Sequence, residues 1–287
     1  MLSFKLSNSK SRDERYICFI NCVLQFLAAI PVIRRFFINR TYRHPRAKSS
    51  RICSEITRIF KVADSQCVTS AGALRQDVGS LPGNDFVKNG EQQDACDFLQ
   101  ALIKVLDAEI GCEETRNSVN HNPICVIRSI EGKETFENRI TKSEDGTCPI
   151  CGHRMRNTEE DFRILHLSNK KLKAASLQEL LDENLGQPSS KFEYKCNCGV
   201  MHDVEAWRSV SKLPPVLLIN VPKFEAETRS VVTDEFLVLN NVQYQLVAVM
   251  DHIGRFKDRG HWITWSRCPE NRRCCDTIPI CLSTGVD

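Results

Sequence analysis

Two residues whose side chains can together break an acyl bond lie far apart in the sequence, Cys18 near its start and His261 near its end. A thiolate is a strong nucleophile, and the pKa of a thiol falls below about 8.5 at a helix amino terminus or beside an imidazolium. Cys18 opens a run of apolar residues at helical spacing, and His261 opens a predicted strand. Folds often bring such a Cys–His pair together from distant positions. Spacing alone does not single out this pair, because fifteen cysteines and seven histidines allow many.

Four further cysteines have the spacing of metal ligands. One CxxC pair is followed directly by Gly152 and one CxC pair by Gly199, and each glycine permits the tight turn that directs two thiolates at one ion. Four thiolates hold Zn²⁺ tetrahedrally, so we predict a structural zinc site, with His153 and His202 as spare ligands. The alternative is a group of free thiols without metal. The predicted ligands are Cys148, Cys151, Cys196 and Cys198.

Helices are predicted for the first third of the chain and strands for most of the rest, which is an α+β class. Apolar residues at helical spacing follow Cys18 up to Pro31, which we expect to end the first helix, and recur over 52–60 and most clearly over 91–110. A capping box at Ser176 predicts one later helix, closed by Gly186. Short apolar or alternating runs predict strands at 162–167, 216–221, 244–249 and 261–265.

Composition and charge describe a folded protein in a reducing compartment. Hydrophobic residues make up 41% and charged residues 26%, and a net charge of +3 argues against a nucleic-acid partner. The one basic stretch, 34–51, is interpreted as a solvated surface, with an anionic docking patch as the alternative. The charged amino terminus has no apolar signal region, and no run approaches a membrane span. We therefore expect a cytoplasmic or nuclear protein without a membrane partner, whose cysteines are free, catalytic or metal-bound.

The residues around Cys18 resemble the cysteine box of the ubiquitin-specific proteases. The run 17–25 reads ICFINCVLQ, where the family has an Asn-Thr-Cys-(Tyr/Phe)-(Met/Ile)-Asn-(Ser/Ala)-Val-Leu-Gln pattern. Five further landmarks follow in the family's order, and the likeness covers about residues 13 to 280. They are a Gln-Gln-Asp box at 92–99, two metal knuckles at 148–151 and 194–198, a core strand at 213–224, a histidine box at 244–262, and the start of the last box at 275–276.

The resemblance implies a papain-like fold with a helical thumb, a β-rich palm and zinc-ribbon fingers that grip ubiquitin. It implies a single catalytic domain over 1–287, with the thumb at about 12–125, the fingers at about 126–215 and the palm at about 216–287. The implied activity is hydrolysis of the isopeptide or peptide bond at the carboxy-terminal glycine of ubiquitin. The implied partners are ubiquitin or ubiquitinated proteins, and we expect a monomer.

Site residues follow from the same resemblance. Cys18 would attack the glycine carbonyl, His261 would accept and return the proton, and Asp276 would orient the imidazole ring. Asn271 is the alternative orienting residue, because Thr277 stands where the family often has a second Asp.

The segment before Cys18 departs from the family. Asp13 occupies the position of an Asn whose amide donates to the oxyanion, and the loss of one such donor costs about 10²–10³ in rate. The run Arg15-Tyr16-Ile17 replaces Gly-Asn-Thr, so the turn lacks a glycine that would ease an unusual backbone angle. We therefore expect low activity, unless the Cys18 backbone N–H and Gln25 rebuild the oxyanion site.

Substrate binding is predicted at the Gln-Gln-Asp box. Asp94 and Asp97 lie three residues apart at the start of the 91–110 helix, where acids also complement the helix dipole by about 0.3–1 kcal/mol each. The family interpretation is that these acids, with Gln93, hold the arginine-containing tail of ubiquitin. Asp97 stands where the family often has Glu, which shortens its reach by one methylene.

Other functions compete with a deubiquitinase. The chain could process another ubiquitin-like modifier such as SUMO, because surface contacts that one sequence does not reveal set the choice of modifier. It could also be an inactive ubiquitin-binding pseudoenzyme, since the turn before Cys18 is altered. A zinc-ribbon nucleic-acid binder is disfavoured by the near-neutral charge.

Overall fold

The computed structural model describes residues 16–39, 51–64, 70–88, 91–110, 129–141, 143, 146–168, 176–221, 233–256, 259–267 and 278–283. The helices are α1 (Cys18–Ala29), α2 (Pro31–Ile38), α3 (Arg51–Asp64), α4 (Gly72–Gly79), α5 (Ala95–Ile110) and α6 (Leu177–Leu185). The strands are β1 (Gly132–Ile140), β2 (Thr158–Phe162), β3 (Leu165–His166), β4 (Pro188–Lys195), β5 (Met201–Lys212), β6 (Leu217–Asn220), β7 (Phe236–Leu239), β8 (Val242–Phe256), β9 (Arg259–Ser266) and β10 (Ile278–Ser283). Helices first and strands later confirm the predicted α+β class.

The first predicted helix is confirmed as α1, and a second helix that the sequence did not predict follows it directly. α1 ends at Ala29, and Pro31 starts α2 as its first residue, where its fixed φ suits a helix and its missing N–H costs nothing. Pro31 therefore ends the first helix, as expected, and also begins the next. No single described helix is long and apolar enough to cross a membrane; α1 and α2 together have that length and composition, with a bend of 97° between them.

A four-stranded antiparallel sheet carries the predicted metal ligands. Its strand order is β2-β1-β5-β4, and the two turns that hold the cysteines follow β1 and β4. Arg208 on β5 pairs with the buried Glu134 on the neighbouring β1, and a nitrogen of Arg208 also donates to the carbonyl of His166 on β3 at 2.7 Å, which joins this sheet to the other one. The sheet corresponds to the fingers that the resemblance implies.

A six-stranded sheet forms the centre of the molecule. Its order is β3-β6-β10-β8-β7, with β9 pairing antiparallel to β8 and with β10 parallel to both β6 and β8. All four residues of β6 are buried, which explains the continuous apolar run there. Leu218 packs into the same cluster as α1 to α5, whereas Leu217 and Ile219 pack with α6. Helices thus cover both faces, as a thumb and palm require.

Most predicted strands are confirmed, with shifted bounds. The run 162–167 is divided between β2 and β3 by a bend at Arg163 and Ile164, and β3 pairs with β6 of the central sheet. The runs 216–221, 244–249 and 261–265 lie within or around β6, β8 and β9. The Ser176 capping box is present, because the Ser176 side chain accepts from Glu179 N and the Glu179 side chain accepts from Ser176 N. The residue limits drawn for thumb, fingers and palm stay a prediction.

Candidate active site

Cys18 is the first residue of α1, as the sequence predicts. The helix starts here because apolar residues at helical spacing face the core, and Phe19, Ile20 and Leu24 are fully buried. The helix has no side-chain cap and no acid in its first turn, so its first N–H groups are directed at the Cys18 thiol without competition from a capping carboxylate. Only 7% of Cys18 is exposed.

Strand β9 lies against α1 and brings the backbone next to His261 close to Cys18. The Cys22 thiol donates to the Ile263 carbonyl at 3.1 Å, and the Thr264 hydroxyl donates to the Cys22 carbonyl at 2.8 Å. One helical turn earlier, the backbone N–H of Trp262 hydrogen-bonds the Cys18 sulfur. Trp262 directly follows His261, so the backbone beside His261 lies next to Cys18 where α1 begins and β9 passes it.

The environment of Cys18 acts on its pKa in two directions. Burial raises the pKa of the Cys18 thiol, and hydrogen bonds from the backbone N–H groups of Trp262, Phe19 and Cys18 partly oppose this effect. Burial also raises the pKa of Cys22 to about 12, and the charges of Asp251 and Asp94 contribute in the same direction. Of the two thiols on α1, Cys18 is therefore the one that backbone donors favour as a thiolate.

His261 lies on the exposed side of β9, opposite Ile253 on β8. Ile253 is 55% exposed, so the imidazole and an apolar side chain share an open face. Among the described residues, no hydrogen bond to the His261 side chain is present. Asp276 and Asn271, the two candidate orienting residues, and Asp13, the residue at the oxyanion position, lie outside the described residues.

The turn before Cys18 has the unusual backbone that the altered sequence suggests. Tyr16 has φ of +57°, in the left-handed region that costs an ordinary residue about 1–2 kcal/mol. Its side chain is 56% exposed, so little burial offsets this cost. The family pattern has Asn at this position, and Asn adopts the left-handed region more readily.

Asp94 begins α5 but is not part of it, which corrects its predicted place on the helix. Its Oδ1 accepts from Cys96 N at 2.6 Å and from Asp97 N at 3.1 Å, so Asp94 is the N-cap of α5 and the helix starts four residues later than Glu91. Asp97 is exposed in the first turn, and Gln93 is half-buried just before the cap. The three predicted substrate-binding residues therefore lie together at one helix end, and the charge of Asp94 reaches Cys22 on α1.

Gln92 is a site residue that the sequence reasoning missed. Its amide nitrogen lies 3.0 Å from His252 Nε2, and its amide oxygen accepts from Gly260 N at 3.2 Å, one residue before His261. Membership in the Gln-Gln-Asp box is the only signal in the sequence that marks it.

The four predicted metal ligands form one cluster. Their Sγ atoms all lie within 4.8 Å of one another, with Cys148 and Cys198 at 3.7 Å and Cys151 and Cys196 at 3.5 Å. Four thiolates around a tetrahedral ion with bonds of about 2.3 Å are about 3.8 Å apart, so the four cysteines fit a zinc ion. His153 instead lies with its Nε2 3.3 Å from the Tyr194 hydroxyl.

Two similar turns present these sulfurs despite their different spacing. Gly152 N donates to Cys148 O at 2.8 Å, and Gly199 N donates to Cys196 O at 2.8 Å, so the CxC turn closes one residue earlier than the CxxC turn. Both glycines have positive φ, +68° and +89°. The shorter spacing is therefore compatible with the same ion.

Comparison with known proteins identifies the family. Residues 11–276 match the family model described as "Ubiquitin carboxyl-terminal hydrolase". Ubiquitin carboxyl-terminal hydrolase 12 of Salmo salar is 24% identical over 290 residues, which cover 86% of this chain and 74% of that protein.

The fold is also found among solved structures. The SAGA DUB module of Ubp8, Sgf11, Sus1 and Sgf73 bound to monoubiquitin matches with a TM-score of 0.67, 19% identity and coverage of 89% of this chain and 60% of that chain. The module bound to ubiquitin aldehyde matches with a TM-score of 0.69, 19% identity and coverage of 89% and 61%. The chain thus spans about three fifths of the length of these solved relatives. The family model, which matches most of the sequence, shows that the chain belongs to the ubiquitin carboxyl-terminal hydrolase family.

Proposed function

We propose that this protein is a thiol-dependent deubiquitinase that hydrolyses the isopeptide or peptide bond at the carboxy-terminal glycine of ubiquitin. Family membership supports the reaction class, and the solved relatives bound to monoubiquitin and ubiquitin aldehyde support ubiquitin as the partner. The observation that carries the proposal is the junction of α1 and β9, where the backbone N–H beside His261 hydrogen-bonds the Cys18 sulfur.

The proposed reaction has two steps. The Cys18 sulfur attacks the carbonyl carbon of the glycine, its proton passes to His261, and His261 returns a proton to the departing amine. Water then attacks the thioester with His261 as base, which releases ubiquitin and restores the thiol. The helix N–H groups around Cys18 favour both the thiolate and the oxyanion that forms beside it. Asp276 is the proposed orienting residue for His261, and Asp13 is the proposed weak point of the oxyanion site.

Substrate binding is assigned to the amino-terminal end of α5. Asp97 is exposed there and Asp94 carries its charge close to α1, so two carboxylates are available to a basic tail. Gln93 lies next to this pair and offers an amide to the extended backbone of the tail. Ile253 is exposed opposite His261 on the β8–β9 hairpin, where it offers the substrate an apolar contact.

We further propose that Cys148, Cys151, Cys196 and Cys198 hold a structural zinc ion. When bound, the ion supplies a cross-link between the turns after β1 and β4, at the far end of the four-stranded sheet, and takes no part in the reaction. No disulfide joins these four residues, and Cys18, Cys22, Cys53 and Cys96 are also free thiols. We propose a reducing compartment, the cytoplasm or nucleus, for a monomer without a nucleic-acid or membrane partner.

Turnover of ubiquitin that carries a fluorogenic amide at its carboxy terminus tests the proposal. We expect hydrolysis by the unaltered protein, and at least about a 10³-fold loss in Cys18→Ala and His261→Ala, because each removes one half of the reacting pair. Cys22→Ser is the matched control, since it changes a thiol one turn away and keeps a donor for the Ile263 carbonyl. A SUMO version of the substrate runs alongside.

Each outcome has a distinct meaning. Hydrolysis of the SUMO substrate alone would assign the reaction to another ubiquitin-like modifier. Ubiquitin binding with no turnover of either substrate would identify an inactive ubiquitin-binding protein. Equal loss in Cys18→Ala and Cys22→Ser would contradict Cys18 as the nucleophile.

A further inference from the structure

Gln92 connects the start of α5 to both strands of the β8–β9 hairpin. Its Oε1 accepts from Gly260 N at 3.2 Å, and its Nε2 lies 3.0 Å from Nε2 of His252. Gly260 is on β9 directly before His261, whereas His252 is on β8 opposite Trp262. One amide group therefore contacts Gly260, which precedes the proposed base His261. It also contacts His252, which pairs across the strands with Trp262, the residue after that base.

The orientation of this amide determines which tautomer of His252 fits the hydrogen bond between them. A backbone N–H only donates, so the Gln92 atom facing Gly260 is the oxygen and the atom facing His252 is the NH₂ group. The NH₂ group only donates, so His252 Nε2 has to accept. An accepting Nε2 carries no proton, so the tautomer that fits this hydrogen bond has its proton on Nδ1.

The His252 ring also sets the position of the backbone beside His261. His252 is fully buried, and its ring lies 5.0 Å from the Trp262 ring in an edge-on contact. A Cβ at Gly260 would lie 2.4 Å from His252 Cε1 and 2.4 Å from the Ile253 carbonyl, so the ring and the chain touch with no room for a side chain. His252 thus packs against the residues on both sides of His261.

We infer that Gln92 and His252 are positioning residues for His261. Gln92 holds the Gly260 peptide by one hydrogen bond and the accepting His252 ring by another, and the ring packs against Gly260 and Trp262. The backbone of His261 is thereby fixed relative to Cys18, whose sulfur is hydrogen-bonded by Trp262 N–H. Both residues act through the backbone on either side of His261. The inference rests on the proposed role of His261, and it assigns to Gln92 a task separate from substrate binding.

The first test is spectroscopic and does not depend on activity. In protein labelled with ¹⁵N at histidine, we expect His252 to show an unprotonated Nε2 and a protonated Nδ1 at neutral pH. In Gln92→Glu the carboxylate accepts from Gly260 N–H and requires a donor at His252, so Nε2 should become protonated. A protonated Nε2 in the unaltered protein would overturn the inference, as would identical His252 spectra in the two proteins.

The second test separates positioning from binding. Gln92→Met keeps the size of the side chain and removes both hydrogen bonds, and we expect kcat to fall about 10–100-fold with KM changed less than about twofold. Gln92→Glu, which keeps two acceptors, should retain more of kcat than Gln92→Met. Gln243→Met, an exposed change on β8, is the matched control and should behave as the unaltered protein.

The outcomes distinguish this inference from the proposed function. A raised KM with unchanged kcat in Gln92→Met would overturn the inference and make Gln92 a substrate contact. If the unaltered protein shows no turnover, the proposed function fails, and the His252 spectra still decide the tautomer. The NMR signals of the His261 ring then test the positioning role. They should shift in Gln92→Met and stay unchanged in Gln243→Met. Unshifted His261 signals in Gln92→Met would overturn the inference.

Discussion

Two features of its surroundings change the pKa of Cys18 in opposite directions. Burial raises its pKa, whereas the N–H groups at the start of α1 and on Trp262 stabilise its thiolate. In the free protein, burial changes the pKa of Cys18 more than these hydrogen bonds do, so the thiol stays protonated up to the ordinary thiol pKa. It reacts fastest once a base has removed its proton. A substrate carbonyl placed beside those N–H groups would be polarised by them, which favours attack by the sulfur.

Alkylation of the free protein measures this balance. The rate of iodoacetamide addition to Cys18 should keep rising as pH increases past about 8.5, the ordinary thiol value, because a raised pKa delays formation of the thiolate. Cys22, with a pKa of about 12, should label much more slowly at every pH. Peptide mapping by mass spectrometry gives both rates. A Cys18 rate that is already constant below pH 7 would contradict the raised pKa.

Tyr16 is expected to cost stability at the turn before Cys18. Tyr16→Asn should raise the free energy of unfolding by about 0.5–1 kcal/mol, because Asn accepts the left-handed backbone that Tyr16 adopts at φ of +57°. Tyr16→Val should lower it, since a branched Cβ tolerates that backbone least. Urea unfolding of the two variants provides the comparison, and changes of equal sign would show that backbone strain is not the cause.

Local sequence signals predicted the helices that carry the site better than the outer strand β4 and the short helix α4. The apolar periodicity gave α1, α3 and α5, and the capping box gave α6, because each signal acts within one helix. β4 was missed, since nearly all its side chains are exposed and no alternation marks it. α4 begins and ends with glycine, which hid it from the same test.

The start of α5 combines a structural role with a proposed binding role, and one substitution separates them. Asp94→Asn keeps an oxygen that accepts from Cys96 N and Asp97 N but removes the charge. We expect stability within about 0.5 kcal/mol of the unaltered protein and weaker ubiquitin binding. Asp94→Ala should lose about 1 kcal/mol of stability as well. Thermal unfolding and ubiquitin titration are the two measurements; unchanged affinity in Asp94→Asn would leave the residue only its capping role.

Long-range contacts decide how the whole molecule assembles the site, and these were the least predictable from sequence. The family pattern indicated Cys18 and His261, and the CxxC and CxC spacing indicated the four clustered cysteines. The Gln92 contacts with His252 and Gly260 cross about 160 residues of sequence and leave no local pattern. By contrast, the glycines after the two cysteine pairs predicted tight turns, and both Gly152 and Gly199 have positive φ in the structure.

The zinc proposal predicts a local effect of metal loss within the whole fold. Purified protein should contain about one zinc per chain by mass spectrometry, Cys198→Ser should lose it, and Cys18→Ala should keep it. Hydrogen exchange after chelation should quicken at 146–153 and 196–201 while α1 and β9 stay protected, because the cluster joins only the turns after β1 and β4. Zinc bound equally by Cys198→Ser would contradict the assigned ligands.

The most direct test of the central claim is the intact mass of the protein after mixing with ubiquitin that bears a carboxy-terminal electrophile. A carboxy-terminal SUMO electrophile and the Cys18→Ala variant run in parallel. The account predicts one covalent ubiquitin adduct per chain, formed by the unaltered protein and absent in Cys18→Ala. An adduct that persists in Cys18→Ala, or no adduct with ubiquitin at all, would contradict Cys18 as the nucleophile of a deubiquitinase.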